Sequence, residues 1–486
     1  MMKKILLVIW SILFCFKIAA QPLSLQDAVD IALHNNNKIR QFNEKYEQKK
    51  YEDISAWGNF LPKINLIGSY THLNEPLDID LSPIRDVLMN LQAKNQTEFA
   101  NVYNILQGKA PLSDQQRNLL FQGYYNQLNN VIPPFSETYK KQDFWSATLT
   151  GVQPIFMGGK LLAAKNYSSD EKQSSVIELQ KTKNEITEEV VNNYITVVLI
   201  KDIISTRMKV LDGMRYHEQK ADKLLKEGLI ANYNYLRAKV AVADAERNLF
   251  DEKNKYDLAV LNLLTTLGTP EDSKIQINDS LSFVNGLDSV FIYQNSMAQS
   301  QPVLKIIELK QDEANLKYKS EFSKLLPQVA AFGKYEMVPQ YLSPLEPRWT
   351  VGIQASLNIF NGFQDYLSLQ TASHLESEVK YLQSDTKSKL ELLVNKNYKD
   401  AANAEERYLK LNETIKLAEE NLRLNNKRFE TGLGTSLEVI DANLELEKNL
   451  IESKLSLYEY YQKLTALYTI AGIPNDIIKI WQKDKR

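Results

Sequence analysis

The chain has 486 residues, 58 of them basic and 60 acidic, for a formal net charge of −2; that balance excludes a basic nucleic-acid-binding face and an acidic interaction tail. A single cysteine, Cys15, excludes a disulfide framework and a thiolate metal site. His34, His72, His217 and His374 fall on different stretches without ligand spacing, and there is no glycine-rich phosphate loop or nucleophile elbow. The sequence therefore points to no cofactor, no metal site and no enzyme.

Met1 to Lys4, the apolar run Ile5 to Phe16 and the small pair Ala19-Ala20 read as a signal peptide over residues 1–20, cleaved near Gln21. About 12 apolar residues are too few to span a bilayer. Phe14 is too bulky for a lipoprotein cleavage site ahead of Cys15. No later stretch offers a run of about 18 apolar residues, so a β-barrel is the route by which an exported chain could enter a membrane.

The first structural repeat spans residues 21–270. Ser24-Leu-Gln-Asp27 opens an amphipathic helix that runs to about Trp57 and is closed by Leu61-Pro62. Lys63 to Leu73 reads as a strand, and Asn74 to Asp143 as a long solvent-facing loop with a helix over Val87 to Leu106 after Ser82-Pro83. A returning strand follows from Trp145 to Phe156. Gly158 marks the change of direction into a long helix whose seam passes through Ile186, Val190, Asn193, Val197, Ile200, Ile204, Leu211, Met214 and Leu225. A tip near residues 228–234, with Gly228 and Asn234, turns the chain into a return helix over residues 232 to 267.

Residues 271–287 read as a connector, and residues 288–474 as a second copy of the repeat. With an offset of 204, Trp145 falls on Trp349, Gly158 on Gly362, Gly228 on Gly432, Ala238 on Ala442 and Pro270 on Pro474. The preceding part repeats with an offset of 265, so that Leu61-Pro62 falls on Leu326-Pro327. The 61 residues between the two offsets all lie in the first hairpin loop, which has only Pro339 to Pro347 as its counterpart. Trp349, Val351, Ile353, Ala355, Leu357 and Ile359 alternate with uncharged polar residues, as a strand with one lipid-facing side requires. The helix that follows, about 67 residues, keeps a 3-4 rhythm through Leu390, Val394, Asn397, Ala401, Ala404, Tyr408, Leu411, Ile415, Ala418, Leu422, Asn425 and Phe429. Residues 475–486 form a C-terminal tail.

The fold expected is mainly α with a membrane β-barrel contribution, in two tandem repeats of one β-hairpin and one long coiled-coil helical hairpin. Four strands cannot close a barrel and an open edge cannot face lipid. Three chains give about twelve strands with room for a lumen. The 67-residue arm is matched by the return arm stacked on the helix from Ser24 to Trp57, so a trimer also supplies twelve helical columns for an α-barrel.

The order and twofold recurrence of these features, with the tip pattern Phe429-x-x-Gly432 to Leu437-x-Val439-x-Asp441-Ala442, resemble the TolC family of outer-membrane efflux ducts. The resemblance covers essentially the whole mature chain. It implies a homotrimer in the outer membrane of a Gram-negative bacterium, with a twelve-stranded barrel continued by a periplasmic α-barrel. It also implies a periplasmic adaptor (membrane fusion) protein and an inner-membrane transporter as partners, and no nucleic acid. The implied function is the passive exit of small toxic molecules or drugs in a tripartite pump, the alternative in the family being type I protein secretion. A non-conducting periplasmic coiled-coil scaffold is the alternative of another class; it would not need the alternating strand at Trp349 to Ile359.

The resemblance makes Glu438 and Asp441, three apart at the start of the second return helix, an acidic pair ringing the periplasmic entrance and setting its cation preference. The competing reading is that acids there merely complement the helix dipole. Where members of the family close the entrance with a tyrosine, an arginine and an aspartate, this chain has Phe429, Gly434 and Asn234. No ionic lock of that kind can form, which leaves open how the entrance closes; apolar packing by Phe429 and Leu433, beside Gly432, is one candidate.

Overall fold

The computed structural model describes residues 22–343 and 345–483. The expected signal peptide and its cleavage point lie outside the described residues, as do the last three residues of the tail. The chain divides into a helical unit (within it residues 22–56, 162–321 and 363–483) and a strand-bearing unit (residues 57–161 and 322–362).

The helical unit is built on two helices of 67 residues, α5 (Lys160–Lys226) and α9 (Gln364–Glu430), each followed after a short turn by a return helix, α6 (Asn232–Leu267) and α10 (Ser436–Ile470). The seam positions of both copies are buried or half-buried, because a 3.5-residue repeat keeps one stripe facing a neighbouring helix along the whole length. At 1.5 Å per residue each long arm spans roughly 100 Å.

The helix expected from Ser24 to Trp57 is two helices, α1 (Leu25–Asn35) and α2 (Asn37–Trp57), the first opened by a Ser24–Asp27 capping box. Its counterpart in the second repeat is likewise split, into α7 (Val290–Ser300) and α8 (Pro302–Phe322). The breaks fall on equivalent residues and have one cause. The Asn36 side-chain amide donates to the Thr266 carbonyl near the end of α6, and the Gln301 amide donates to the Ile470 carbonyl at the end of α10. Gly268 and Gly472 follow those helix ends at φ +66° and +80°. A Cβ there would come within 2.8 Å of the Asn35 carbonyl oxygen and 2.7 Å of that of Ser300. The broken helix and the return helix thus meet backbone to backbone, and carbonyls orphaned at the return helix's end find donors.

The connector after Pro270 has no regular structure up to residue 289, yet it packs into the main core through Ile277 and Leu281. Lys201 on α5 donates to the Ile277 carbonyl at 2.7 Å, and Asp202 accepts from the Leu281 backbone N–H at 2.9 Å. The tail is more ordered than its sequence suggested. It forms a short helix, α11 (Asp476–Lys483), whose Trp481 meets Tyr194 and Tyr461 edge-to-face and donates its indole N–H to Asp279 at 2.9 Å.

The strand-bearing unit holds one four-stranded antiparallel sheet in the order β1-β4-β5-β6, with β1 at Lys63–His72, β4 at Asp143–Met157, β5 at Gln328–Glu336 and β6 at Trp349–Ser356. The two expected hairpins, β1–β4 and β5–β6, sit side by side through β4–β5 pairing. β1 and β6 are the sheet's edges. β5 ends at Glu336, and β6 ends at Ser356, opposite Gln328. Leu357 and Ile359 therefore lie beyond the strand, since β5 has no residue left to pair with them; both are exposed.

The 70-residue insert between β1 and β4 is folded. A two-stranded ribbon, β2 (Leu77–Asp80) with β3 (Ser136–Lys140), leads to an antiparallel pair of helices, α3 (Ser82–Leu106) and α4 (Asp114–Val131). The expected helix starts earlier than Val87, because Pro83 occupies the first turn, where its missing N–H costs nothing. The second helix was not expected. Its Ser113–Gln116 capping box marks the start, but a polar run rich in Asn, Gln and Tyr gave little periodicity to read.

Among the described residues no helix is long and apolar enough to cross a membrane.

Candidate functional site

The candidate site is the pair of turns at the far ends of the helical hairpins. Both are built the same way: Gly228 and Gly432 take left-handed φ values of 72° and 75°, and the next residue's N–H returns to a carbonyl five residues back. The following helices start differently. Ala231 before α6 makes no side-chain cap, and Asn234 simply donates its backbone N–H to the Ala231 carbonyl. Thr435 before α10 makes a complete capping box with Glu438.

That box gives Glu438 a structural task. Its Oε2 accepts the Thr435 N–H at 2.8 Å, while Glu438 N–H donates to Thr435 Oγ1 at 3.3 Å. Its Oε1 lies 3.7 Å from the Arg428 guanidinium. Gly434 lets this happen, since a Cβ there would meet Glu438 Oε2 at 3.1 Å and the Phe429 nitrogen at 3.0 Å. Asp441 is exposed and has no hydrogen-bond or ion partner among the described residues. The two acids are thus not equivalent: one is held by the helix start, the other is free.

Phe429 and Leu433 also separate. Phe429 is 3% exposed and belongs to a small apolar cluster with Ala221, Ala238 and Val439, which joins both hairpins within one chain. Leu433 is 75% exposed, as is its counterpart Leu229 at 68%. Phe429 therefore packs within its own chain, and of the two only Leu433 is exposed.

The residues that tie the two hairpins here were not singled out from the sequence. His217 of α5 is 2% exposed; its Nε2 lies 2.7 Å from Ser436 Oγ at the start of α10, and its ring packs at a tilt against Phe429 at a centroid distance of 4.6 Å. Burial pulls the imidazole down to about 4, so it is neutral near pH 7. One turn around, the Tyr216 hydroxyl donates to Glu430 Oε1 at 3.2 Å and Lys220 Nζ lies 3.8 Å from the same oxygen. Nearer the middle, Arg207 of α5 pairs with the buried Glu447 of α10 at 2.5 Å. His217 lies on the apolar side of α5, three residues after Met214 and four before Ala221, which is the signal that could have found it. Its partner Ser436 belongs to another element and no local pattern announces it.

On the sheet, Trp349, Val351, Ile353 and Ala355 are exposed on β6. Gly352, on the other face, lies under the Phe332 ring, where a Cβ would come within 2.8 Å of Cζ. Among the described residues no group of histidine, cysteine, aspartate or glutamate could hold a metal ion.

Long helical hairpins in a tandem repeat, with an antiparallel sheet exposing apolar side chains, make up the fold of solved outer-membrane channels. The chain aligns with the outer membrane protein VceC from Vibrio cholerae at a TM-score of 0.70 and 15% identity, covering 92% of this chain and 96% of that one. It aligns with the open state of the Neisseria gonorrhoeae MtrE outer membrane channel at 0.67 and 14%, covering 94% and 90%. With the Campylobacter jejuni CmeC outer membrane channel the values are 0.64 and 13%, covering 95% and 89%. No curated protein matches the sequence. The family model for outer membrane efflux proteins matches residues 122–269 and 294–473, one span per repeat and together more than half of the chain. The chain belongs to the outer membrane efflux protein family.

Proposed function

We propose that this chain is the exit duct of a tripartite efflux pump. Three copies close a twelve-stranded barrel in the outer membrane, and small toxic molecules pass through it passively after hand-over by an inner-membrane transporter and a periplasmic adaptor. The observation behind this reading is the four-stranded sheet, whose β1 and β6 edges are unpaired among the described residues and whose side chains include exposed Ile64, Leu66, Trp349, Val351 and Ile353. Apolar side chains suit lipid, but unpaired backbone edges do not, so neighbouring copies must supply the missing pairing. Family membership supports efflux as the process.

The tips are the proposed periplasmic entrance. Leu229 and Leu433 are apolar groups left exposed there, fit for contact with an adaptor, and Asp441 with the outer part of Glu438 forms the proposed acidic ring. The experiment is gene deletion followed by measurement of intracellular dye accumulation and antimicrobial susceptibility. Raised accumulation that is reversed by the intact gene is the expected result. Unchanged accumulation and susceptibility, with protein export impaired instead, would replace efflux by secretion.

A further inference from the structure

Helix α3 of the insert has two opposite faces. One consists of Arg85, Met89, Ala93, Thr97 and Asn101 at strict four-residue spacing, all buried. This face is complete: Arg85 donates to the Ile132 carbonyl at 2.6 Å, and Asn101 accepts the Leu112 N–H at 2.9 Å. The other face carries Ile84, Leu88, Leu91, Phe99, Val102 and Leu106, each between 50% and 80% exposed. A helix of an insert otherwise this polar has no need of such a stripe for its own folding.

The spacing of the stripe is that of a coiled-coil seam. Ile84, Leu88, Leu91, Asn95, Glu98, Val102 and Ile105 follow steps of four and three, and Val87, Phe99 and Leu106 widen the apolar band beside them. Pro83, Ile84, Val87 and Leu88 form a contiguous apolar patch at its start. Asn95, at the centre, occupies the seam position where a single polar side chain sets register and copy number. In hydrocarbon the same asparagine would be an unsatisfied polar group. Glu98 is drawn aside, 3.7 Å from Arg117 of α4.

We propose that the stripe is covered by the same stripe of the neighbouring copies, so that the three α3 helices of a trimer pack in parallel through Asn95. The inference rests on the trimer reading above. Copies related by rotation about one axis present identical stripes in parallel, which is what a self-complementary seam with one central asparagine requires. The insert is also delivered to the subunit boundary: β1, an edge strand that must pair with the next copy, passes through only four residues into β2 and from there into α3. The insert is then a trimeric crown over the barrel strands, and it narrows the path by which cargo leaves.

The test places one cysteine per chain in a Cys15→Ser background, Cys15 being the only cysteine. Asn95→Cys reports the seam, and Gln122→Cys, exposed on α4, is the control. Membrane-extracted protein is oxidised and run both native and denaturing. A native trimer with covalent dimers for Asn95→Cys and not for Gln122→Cys supports the proposal, as does loss of that cross-link with retention of the trimer when Leu88 and Leu91 are also changed to Ser. Both leucines lie away from the α4-facing side, so the helix pair still folds. A native trimer without the Asn95→Cys cross-link overturns the inference alone and assigns the stripe to lipid or to a foreign partner. Absence of any trimer overturns the reading beneath it as well.

Discussion

Acidification should loosen the hairpin tips, and His217 sets the amount. The buried imidazole titrates at about 4 against its usual 6.5. A depressed histidine pKa means that the opened tip binds a proton the closed tip refuses, so closed-state stability is complete above about pH 6.5 and falls as the pH drops towards 4. At pH 5 the loss comes to about 2 kcal/mol, or roughly a thirtyfold rise in the open population. The groups around it do not cancel this, because Ser436 and Phe429 are neutral and Lys220 faces Glu430. Hydrogen exchange of the amides of residues 214–221 and 429–440, corrected for the intrinsic pH dependence of exchange, measures it directly. Wild-type protection should drop between pH 7 and pH 5, and His217→Gln should abolish the difference. Equal protection at both pH values in the wild type, or the same drop in His217→Gln, would refute the argument.

Gly472→Ala forces a Cβ to within 2.7 Å of the Ser300 carbonyl at φ +80°; it should destabilise by at least about 1–2 kcal/mol from the backbone alone, read as a lower urea midpoint in pulse proteolysis. Arg207→Met leaves Glu447 buried without its cation and should cost about 3–5 kcal/mol, with most of the loss recovered in Arg207→Met combined with Glu447→Met. Glu438→Gln with Asp441→Asn removes both charges at the tip while glutamine keeps the Thr435 capping box. Cation preference and trivalent-cation block in planar bilayers should then fall while assembly is unchanged; unaltered selectivity would leave the acids with helix-start duties only.

Much of the fold was legible because it repeats. A 3-4 rhythm sustained from Leu390 to Phe429 admits only a long helix, and the recurrence of Gly228 at Gly432 fixed both tips. What the sequence hid depends on contacts between distant residues. The helix break at Asn36 is made by a carbonyl 230 residues away, and nothing in the local pattern distinguishes that asparagine from its two neighbours. The strand at Trp349 continues its alternation past Ser356, but pairing stops where β5 begins, which is a property of the partner strand. At the tip, apolar character alone could not separate Phe429, which fills its own subunit's core, from Leu433, which faces outward. The acidic pair read as one site, whereas the Thr435 box takes one oxygen of Glu438 and leaves Asp441 free.

Everything proposed about conduction depends on the sheet being closed by other copies of the same chain. Native mass spectrometry of the protein extracted intact from outer membranes tests this most directly. The account predicts a mass of three mature chains, with no smaller species until the complex is denatured. A monomer or dimer of that chain, stable in the membrane fraction, would contradict it.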